Sequence, residues 1–176
     1  MVNQLVQQLI NLNRSTHPDL VNCYRANFSL LMKLSKFNEL CQQITEPTLY
    51  KVLDQLLRLL TEHRFETMDK HEMFIKVVNC LIIHLLESTN KTNIFCALIR
   101  ILYDTVNNSD ASNHFRELVV KCIWKLNRSQ AEWDSELNYP RLLAEIHLFL
   151  KVTFYFWKCF NLKLRLIALR CTKIFL

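Results

Sequence analysis

Glycine is absent from this chain of 176 residues. Average usage of ~7% would place about twelve there. Glycine is the usual residue wherever a backbone needs positive φ, as in hairpin turns, bulges and phosphate-cradling loops. Its absence argues against sheets and tight loop architectures. It also excludes the Walker loop, the dinucleotide fingerprint and the G-x-S-x-G elbow, none of which can be written without it. Asparagine is the next best left-handed residue, and Asn13, Asn38, Asn90, Asn107, Asn108 and Asn127 sit where the helices are expected to end.

Proline is scarce too, at three residues, and each is placed to open a helix. Thr16-His17-Pro18, Thr45-Glu46-Pro47 and Asn138-Tyr139-Pro140 each put a capping side chain just ahead of a proline tolerated in the first turn. Asp69-Lys70-His71-Glu72 resembles a capping box. Paired cysteine motifs are missing: the seven cysteines are odd in number and no two have C-x-x-C spacing. Neither a zinc site nor a disulfide framework is signalled. Cys80, Cys96 and Cys122 fall inside apolar runs and read as reduced core residues of a cytosolic protein. The triplets at Asn27 and Asn90 are then chance matches to a glycosylation acceptor. Residues 1–13 lack the basic start and apolar core of a secretory signal, so none is expected.

What is present is apolar helix. The hydrophobic fraction of 51% and the charged fraction of 22% suit one domain with its own core. One template, i, i+3, i+4, i+7, i+8, i+11, describes the buried stripe of a three-turn amphipathic helix. It is filled by Leu49, Val52, Leu53, Leu56, Leu57 and Leu60, and again by Phe74, Val77, Val78, Leu81, Ile82 and Leu85. Phe95, Leu98, Ile99, Leu102, Tyr103 and Val106 form the third copy, and Phe115, Leu118, Val119, Cys122, Ile123 and Leu126 the fourth. Every second copy recurs after 46 or 41 residues, the period of HEAT and armadillo helix pairs (~40–47 residues). The expected fold is an all-α, HEAT/armadillo-like stack of antiparallel helix pairs, although a compact bundle shares the same stripe. Helices are predicted near 2–13, 18–38, 46–62, 69–88, 92–107, 113–128 and 139–152. Leu5, Leu9 and Leu12, then Phe28, Leu31 and Met32, mark weaker stripes in the first two.

Charge is unevenly spread. Residues 1–150 hold 16 basic and 16 acidic residues, whereas residues 151–176 hold six basic ones and no acid. The division expected is a helical domain over 1–152 and a basic, apolar tail over 153–176. As a helix, the tail would align Trp157, Phe160, Leu164, Ile167, Cys171 and Ile174 on one face, with Lys158, Arg165 and Thr172 opposite. Such a segment can lie on a membrane surface or dock into a partner groove; the plainer readings are a last helix covering the end of the stack, or an ending that packs poorly. It has no run of ~18 apolar residues free of charge, so it is not expected to span a bilayer.

Chemistry-bearing constellations are few. His84 follows an apolar run and reads as a satisfied helix residue. His114 and Glu117 are one carboxylate–imidazole pair, too few for a metal site. Glu145 and His147 point to different faces, and His147 shares a line with Leu143 and Leu150, which suggests partial burial. No catalytic, cofactor or metal residue is assigned, and no small-molecule substrate, nucleic acid or membrane is expected as a partner of the body. Partner binding is expected instead in connections along the stack: Arg64 and Phe65 in the third, Lys91 in the fourth, Arg128 and Trp133 in the sixth. An aromatic beside a cation can anchor an interface.

Residues 115–152 carry a resemblance beyond this physics. Val120 to Lys125 form an apolar–Cys–apolar–Trp–basic core, and Leu142 to Val152 read Leu-Leu-x-Glu-Ile-His-x-Phe-x-Lys-Val. This stretch resembles the C-terminal region of the TOG-domain microtubule polymerases, the ch-TOG and Mini spindles family. The run HEMFIKVVNCLIIHLLE at 71–87 fits the small last TOG-like domain of that family. The resemblance implies HEAT-like pairs and a non-catalytic role in microtubule assembly and spindle organisation. It also implies tubulin and a TACC-type adaptor as partners, and a place in the cytoplasm, on the cytoskeleton and at the centrosome or spindle pole. Tubulin-binding TOG domains present a Trp in their first inter-helix loop, and no early connection here has one. No tubulin-contact residue is therefore carried over. The similarity stops after Val152. A HEAT-type scaffold with other protein cargo, or a membrane-surface binder acting through the tail, are the other readings of the same residues.

Overall fold

The computed structural model describes residues 2–15, 20–62, 71–107, 112–128 and 137–156. Among these residues there are eight helices and no strand. They are α1 (Val2–Arg14), α2 (Leu20–Ser35), α3 (Asn38–Gln42), α4 (Glu46–Leu59), α5 (His71–Ser88), α6 (Lys91–Asn107), α7 (Asn113–Arg128) and α8 (Tyr139–Phe156). The expected capping box at Asp69, the turn at Thr16 to Pro18, and Arg64, Phe65 and Trp133 lie outside the described residues, as do residues 157–176.

The helices form two layers. In the first, α1, α4, α6 and α8 pack side by side in that order. In the second, α2 packs on α5 and α5 on α7, and each of the pairs α1/α2, α4/α5 and α6/α7 joins the layers. This is the HEAT-like stack of helix pairs expected from the 41- and 46-residue spacing. First-layer neighbours run parallel, because their beginnings meet at one edge. Thr48 Oγ1 donates to Asn3 Oδ1 at 2.8 Å, Asn93 Nδ2 to the Ile44 carbonyl at 3.1 Å, and the Asn138 amide to Thr92 Oγ1 at 2.9 Å. At the opposite edge Asn13 donates to Gln55 Oε1 at 2.8 Å and accepts from the Tyr24 hydroxyl at 2.7 Å.

The predicted stripes are the core. Leu49, Leu53, Leu56, Leu81, Leu98 and Val119 are fully shielded from solvent, and α6, at the centre of its layer, is buried on nearly every side. Each leucine so buried contributes roughly 1.5–3 kcal/mol. Phe74 joins Tyr24 and Phe28 in an aromatic cluster with ring centroids 5.6–5.7 Å apart, which ties α5 to α2.

Several expectations change. The second helix does not continue to 38: it stops at Ser35, and the separate turn α3 follows. The Cys41 thiol donates to the Leu34 and Ser35 carbonyls there, satisfying groups that a helix end leaves unpaired. Asn13, Asn107 and Asn127 fall within the last two residues of α1, α6 and α7, as expected, whereas Asn38 and Asn90 stand at helix starts. Asn90 and Asn138 side chains accept from the amides of Asn93 and Arg141 at 3.0 and 3.1 Å, opening α6 and α8. Thr45 holds the extended N-cap geometry, but its hydroxyl pairs with the Thr48 hydroxyl rather than with a backbone amide. Cys80 is exposed rather than in the core. It lies two positions past Val78, about 200° round the helix from a fully buried side chain. His147 is exposed together with Leu143, because α8 turns Leu142, Ile146 and Phe149 inward instead.

Candidate partner-binding surface

Helix α7 offers the most organised polar surface on the described residues. Phe115, Val119, Cys122, Ile123 and Leu126 are buried, which fixes the rotation of the helix and turns the opposite side outward. Lys121, Trp124, Lys125 and Arg128 follow one another there at i, i+3, i+4 and i+7, the spacing of neighbours on one helix face. With Val120 they line an open depression of about 610 Å³. Trp124 is 42% exposed, a large apolar surface held among cations. Ser112 Oγ caps the helix start by accepting from the Phe115 amide at 3.1 Å. The Arg116 guanidinium donates to the Thr105 carbonyl at 3.0 and 3.3 Å, pinning α7 to the end of α6.

The charges on this face divide by task. Lys125 bridges to Glu87 on α5 at 3.0 Å, with both side chains about half exposed. Such a pair contributes at most ~1 kcal/mol. Lys121 and Arg128 are exposed, and no hydrogen bond or ion pair within the described residues is recorded for either. They stand about 20° apart round the helix axis, two turns from each other. The face presents positive charge beside an aromatic ring, a pattern suited to an acidic protein surface with an apolar anchor.

Of the residues singled out in the sequence, the structure describes Lys91 and Arg128. Lys91 is not a loop cation: it is the first residue of α6 and only 8% exposed. Its ammonium donates to the Leu86 and Glu87 carbonyls at 3.0 and 2.6 Å, closing the end of α5 as a cation does at a helix C-terminus. Arg128 is the last residue of α7 rather than a loop residue. Lys91 and Arg128 fall at the edge where first-layer helices begin. Lys121, Trp124 and Lys125 are not among the sequence's site candidates because the apolar stripe on the other side of α7 dominates its pattern. The available signal was their own four-residue spacing opposite that stripe.

Two polar clusters join helices of the first layer. Glu46 binds Arg100 at 2.9 Å and also Arg141, joining α4, α6 and α8. The Tyr50 hydroxyl donates to Asp104 Oδ2 at 2.6 Å. Burial first, and then this carboxylate, hold the Tyr50 phenol well above its ordinary range. Among the described residues, no cluster of three or more metal-ligating side chains occurs. No described helix is long and apolar enough to cross a membrane.

No protein-family model matches the chain, and no solved structure matches it. Curated relatives do. Protein mini spindles of Drosophila melanogaster is 27% identical over 149 residues, which cover 85% of this chain. Protein MOR1 of rice (Oryza sativa subsp. japonica) is 29% identical over 132 residues, and Protein MOR1 of Arabidopsis thaliana 26% identical over 132 residues, each covering 69% of this chain. The chain spans 7% of the length of each of these relatives.

Proposed function

We propose, from the premise that this chain is a relative of Mini spindles and MOR1 and resembles the TOG-domain microtubule polymerases, that it is a non-catalytic, microtubule-associated segment. It serves microtubule assembly and spindle organisation by holding a protein partner. Its place is the cytoplasm and cytoskeleton, with the centrosome or spindle pole reached through a TACC-type adaptor. The observation that carries this reading is the similarity to Mini spindles over most of the chain. The α7 face supports it: Lys121, Lys125 and Arg128 surround Trp124 there, a surface suited to an acidic protein partner.

Arg128 is retained as a contact residue in this reading, joined by Lys121 and Trp124. Lys91 is dropped, because its ammonium already serves the end of α5. Arg64, Phe65 and Trp133 remain proposed contacts on connections outside the described residues.

The test has two arms: co-sedimentation of the chain with stabilised microtubules, and capture by an immobilised TACC coiled coil. Binding in either arm that weakens as salt rises is the expected result. Silence in both arms at low salt overturns the proposal.

A further inference from the structure

Helix α2 carries an exposed apolar stripe. Cys23, Ala26, Leu30 and Leu34 follow one another at i, i+3, i+7 and i+11, the spacing of neighbours on one helix face. The first three are exposed, Leu30 by 47%, and Leu34 is half-buried. The buried side of α2 fixes its rotation. Phe28 meets Phe74 of α5, and the Asn27 side-chain amide donates to the Leu5 carbonyl of α1 at 3.3 Å. The stripe lies about 120–160° round the helix from Phe28. It therefore faces away from α5, at the α1 end of the stack. The turn α3 extends it. Phe37 and Leu40 are 60% and 44% exposed, and Leu40 shares with Leu34 the wall of a largely apolar cavity of about 20 Å³. Polar groups border the stripe. Gln8 of α1 is exposed, with its Oε1 3.5 Å from Asn27 Nδ2. On the other border Lys33 falls about 60° round from Leu30, and Lys36 follows in the turn before α3; both are exposed.

We propose that this stripe is a docking surface for an acidic amphipathic helix of another protein. The apolar face of that helix rests on Leu30, Phe37 and Leu40, and its carboxylates lie toward Lys33 and Lys36. Spacing and charge select this occupant. A stripe one helix wide, between Gln8 and Lys33, matches the i, i+3, i+4, i+7 anchors by which a helix seats itself on an apolar surface. It is narrower than the surface a bilayer would cover. Residues 1–38 hold four cations, Arg14, Arg25, Lys33 and Lys36, against one acid, Asp19. Residues 151–176 of the chain hold six basic residues and no acid. Seating them here would set cation against cation, and so would the same stripe of a second copy. A partner helix with glutamates or aspartates beside its apolar face meets both requirements. The stripe lies on a different helix from the α7 face, so this inference stands apart from the microtubule reading.

The test uses the whole chain and two fluorescein-labelled peptides of about 18 residues, long enough to hold a helix. Both carry leucines at i, i+3, i+4 and i+7; one borders them with glutamates and the other with lysines. By fluorescence anisotropy the glutamate peptide is expected to bind at least about tenfold more tightly than the lysine peptide. Lys33→Glu/Lys36→Glu, at two exposed positions, is expected to reverse that order. Leu30→Asn is expected to weaken the glutamate peptide about tenfold. No binding of the glutamate peptide, or an unchanged order after the charge reversal, overturns the proposal. Binding lost with Lys121→Glu/Arg128→Glu instead places the peptide on α7 and overturns it too. Binding of phosphatidylserine vesicles that depends on Lys33 and Lys36, without binding of the glutamate peptide, assigns the stripe to a lipid surface. A dimer that Leu30→Asn dissolves assigns it to a second copy. Either outcome also overturns the proposal.

Discussion

Glu46 and Arg141 stand 95 positions apart in the chain, and their side chains form an ion pair across the stack. Glu46 is buried at the first turn of α4, while Arg141 opens α8 and Arg100 reaches the same carboxylate from α6. One carboxylate thus fixes the relative position of three first-layer helices. A buried carboxylate with two charge-assisted partners stabilises by more than a surface pair, but both arginines are about half exposed, which lowers the value. Glu46→Ala is expected to cost about 1–3 kcal/mol in urea unfolding. An unchanged midpoint would show that the clamp contributes nothing to stability.

Lys91 supplies a second prediction. A buried ammonium donating to two carbonyls at a helix end is a structural group, not a contact for another protein. Lys91→Met keeps the apolar stem and removes both hydrogen bonds, so a loss of about 1–2 kcal/mol is expected by thermal unfolding. Stability equal to that of the unaltered chain would assign Lys91 another role.

Cysteine reactivity should follow burial. Cys23 and Cys80 are exposed, whereas Cys41, Cys96 and Cys122 are buried. Burial pushes the Cys96 and Cys122 thiols up to about 11. At pH 8 the thiolate fraction of each is then on the order of one in a thousand. Among the five described cysteines, iodoacetamide with peptide mapping should label Cys23 and Cys80 first and leave Cys96 and Cys122 until unfolding. The linkage follows from the raised folded values. The stability these thiols give is complete below the unfolded value of about 9 and is lost as pH rises toward about 11. Unfolding midpoints should therefore fall with pH across that window, and a Cys96→Ala/Cys122→Ala chain should show a smaller fall.

Core substitutions should separate the two faces of one helix. Leu81→Ala on α5 removes a fully buried side chain and is expected to cost about 2–5 kcal/mol. Met73→Ala on the same helix changes a residue that is 64% exposed, and its effect is expected to stay within about 0.5 kcal/mol. Comparable losses from both would contradict the rotation assigned to α5.

The core was legible because it depends only on helical period: Leu49 to Leu60 and Phe115 to Leu126 repeat one template, and those helices bury it. Polar roles were less so. Lys91 reads as a loop cation in sequence, yet the carbonyls that hold its ammonium become available only once α5 ends one turn before it. Cys80 sits in an apolar run whose composition looks buried, but only three-dimensional packing decides which side of a nearly all-apolar helix faces out. The Lys121, Trp124, Lys125 and Arg128 face was present as a spacing, masked by the stronger stripe opposite. The Glu46 clamp had no local signal, since Arg100 and Arg141 come from other helices.

In the proposed function, exposed cations of α7 carry partner binding, and the cation buried at the end of α5 does not. This assignment is tested most directly by microtubule co-sedimentation of three chains side by side: unaltered, Lys121→Glu/Arg128→Glu, and Lys91→Met. The account predicts that the double variant binds at least about tenfold more weakly while Lys91→Met binds as the unaltered chain does. Equal binding by the double variant and the unaltered chain, with the fold of both intact, would contradict it.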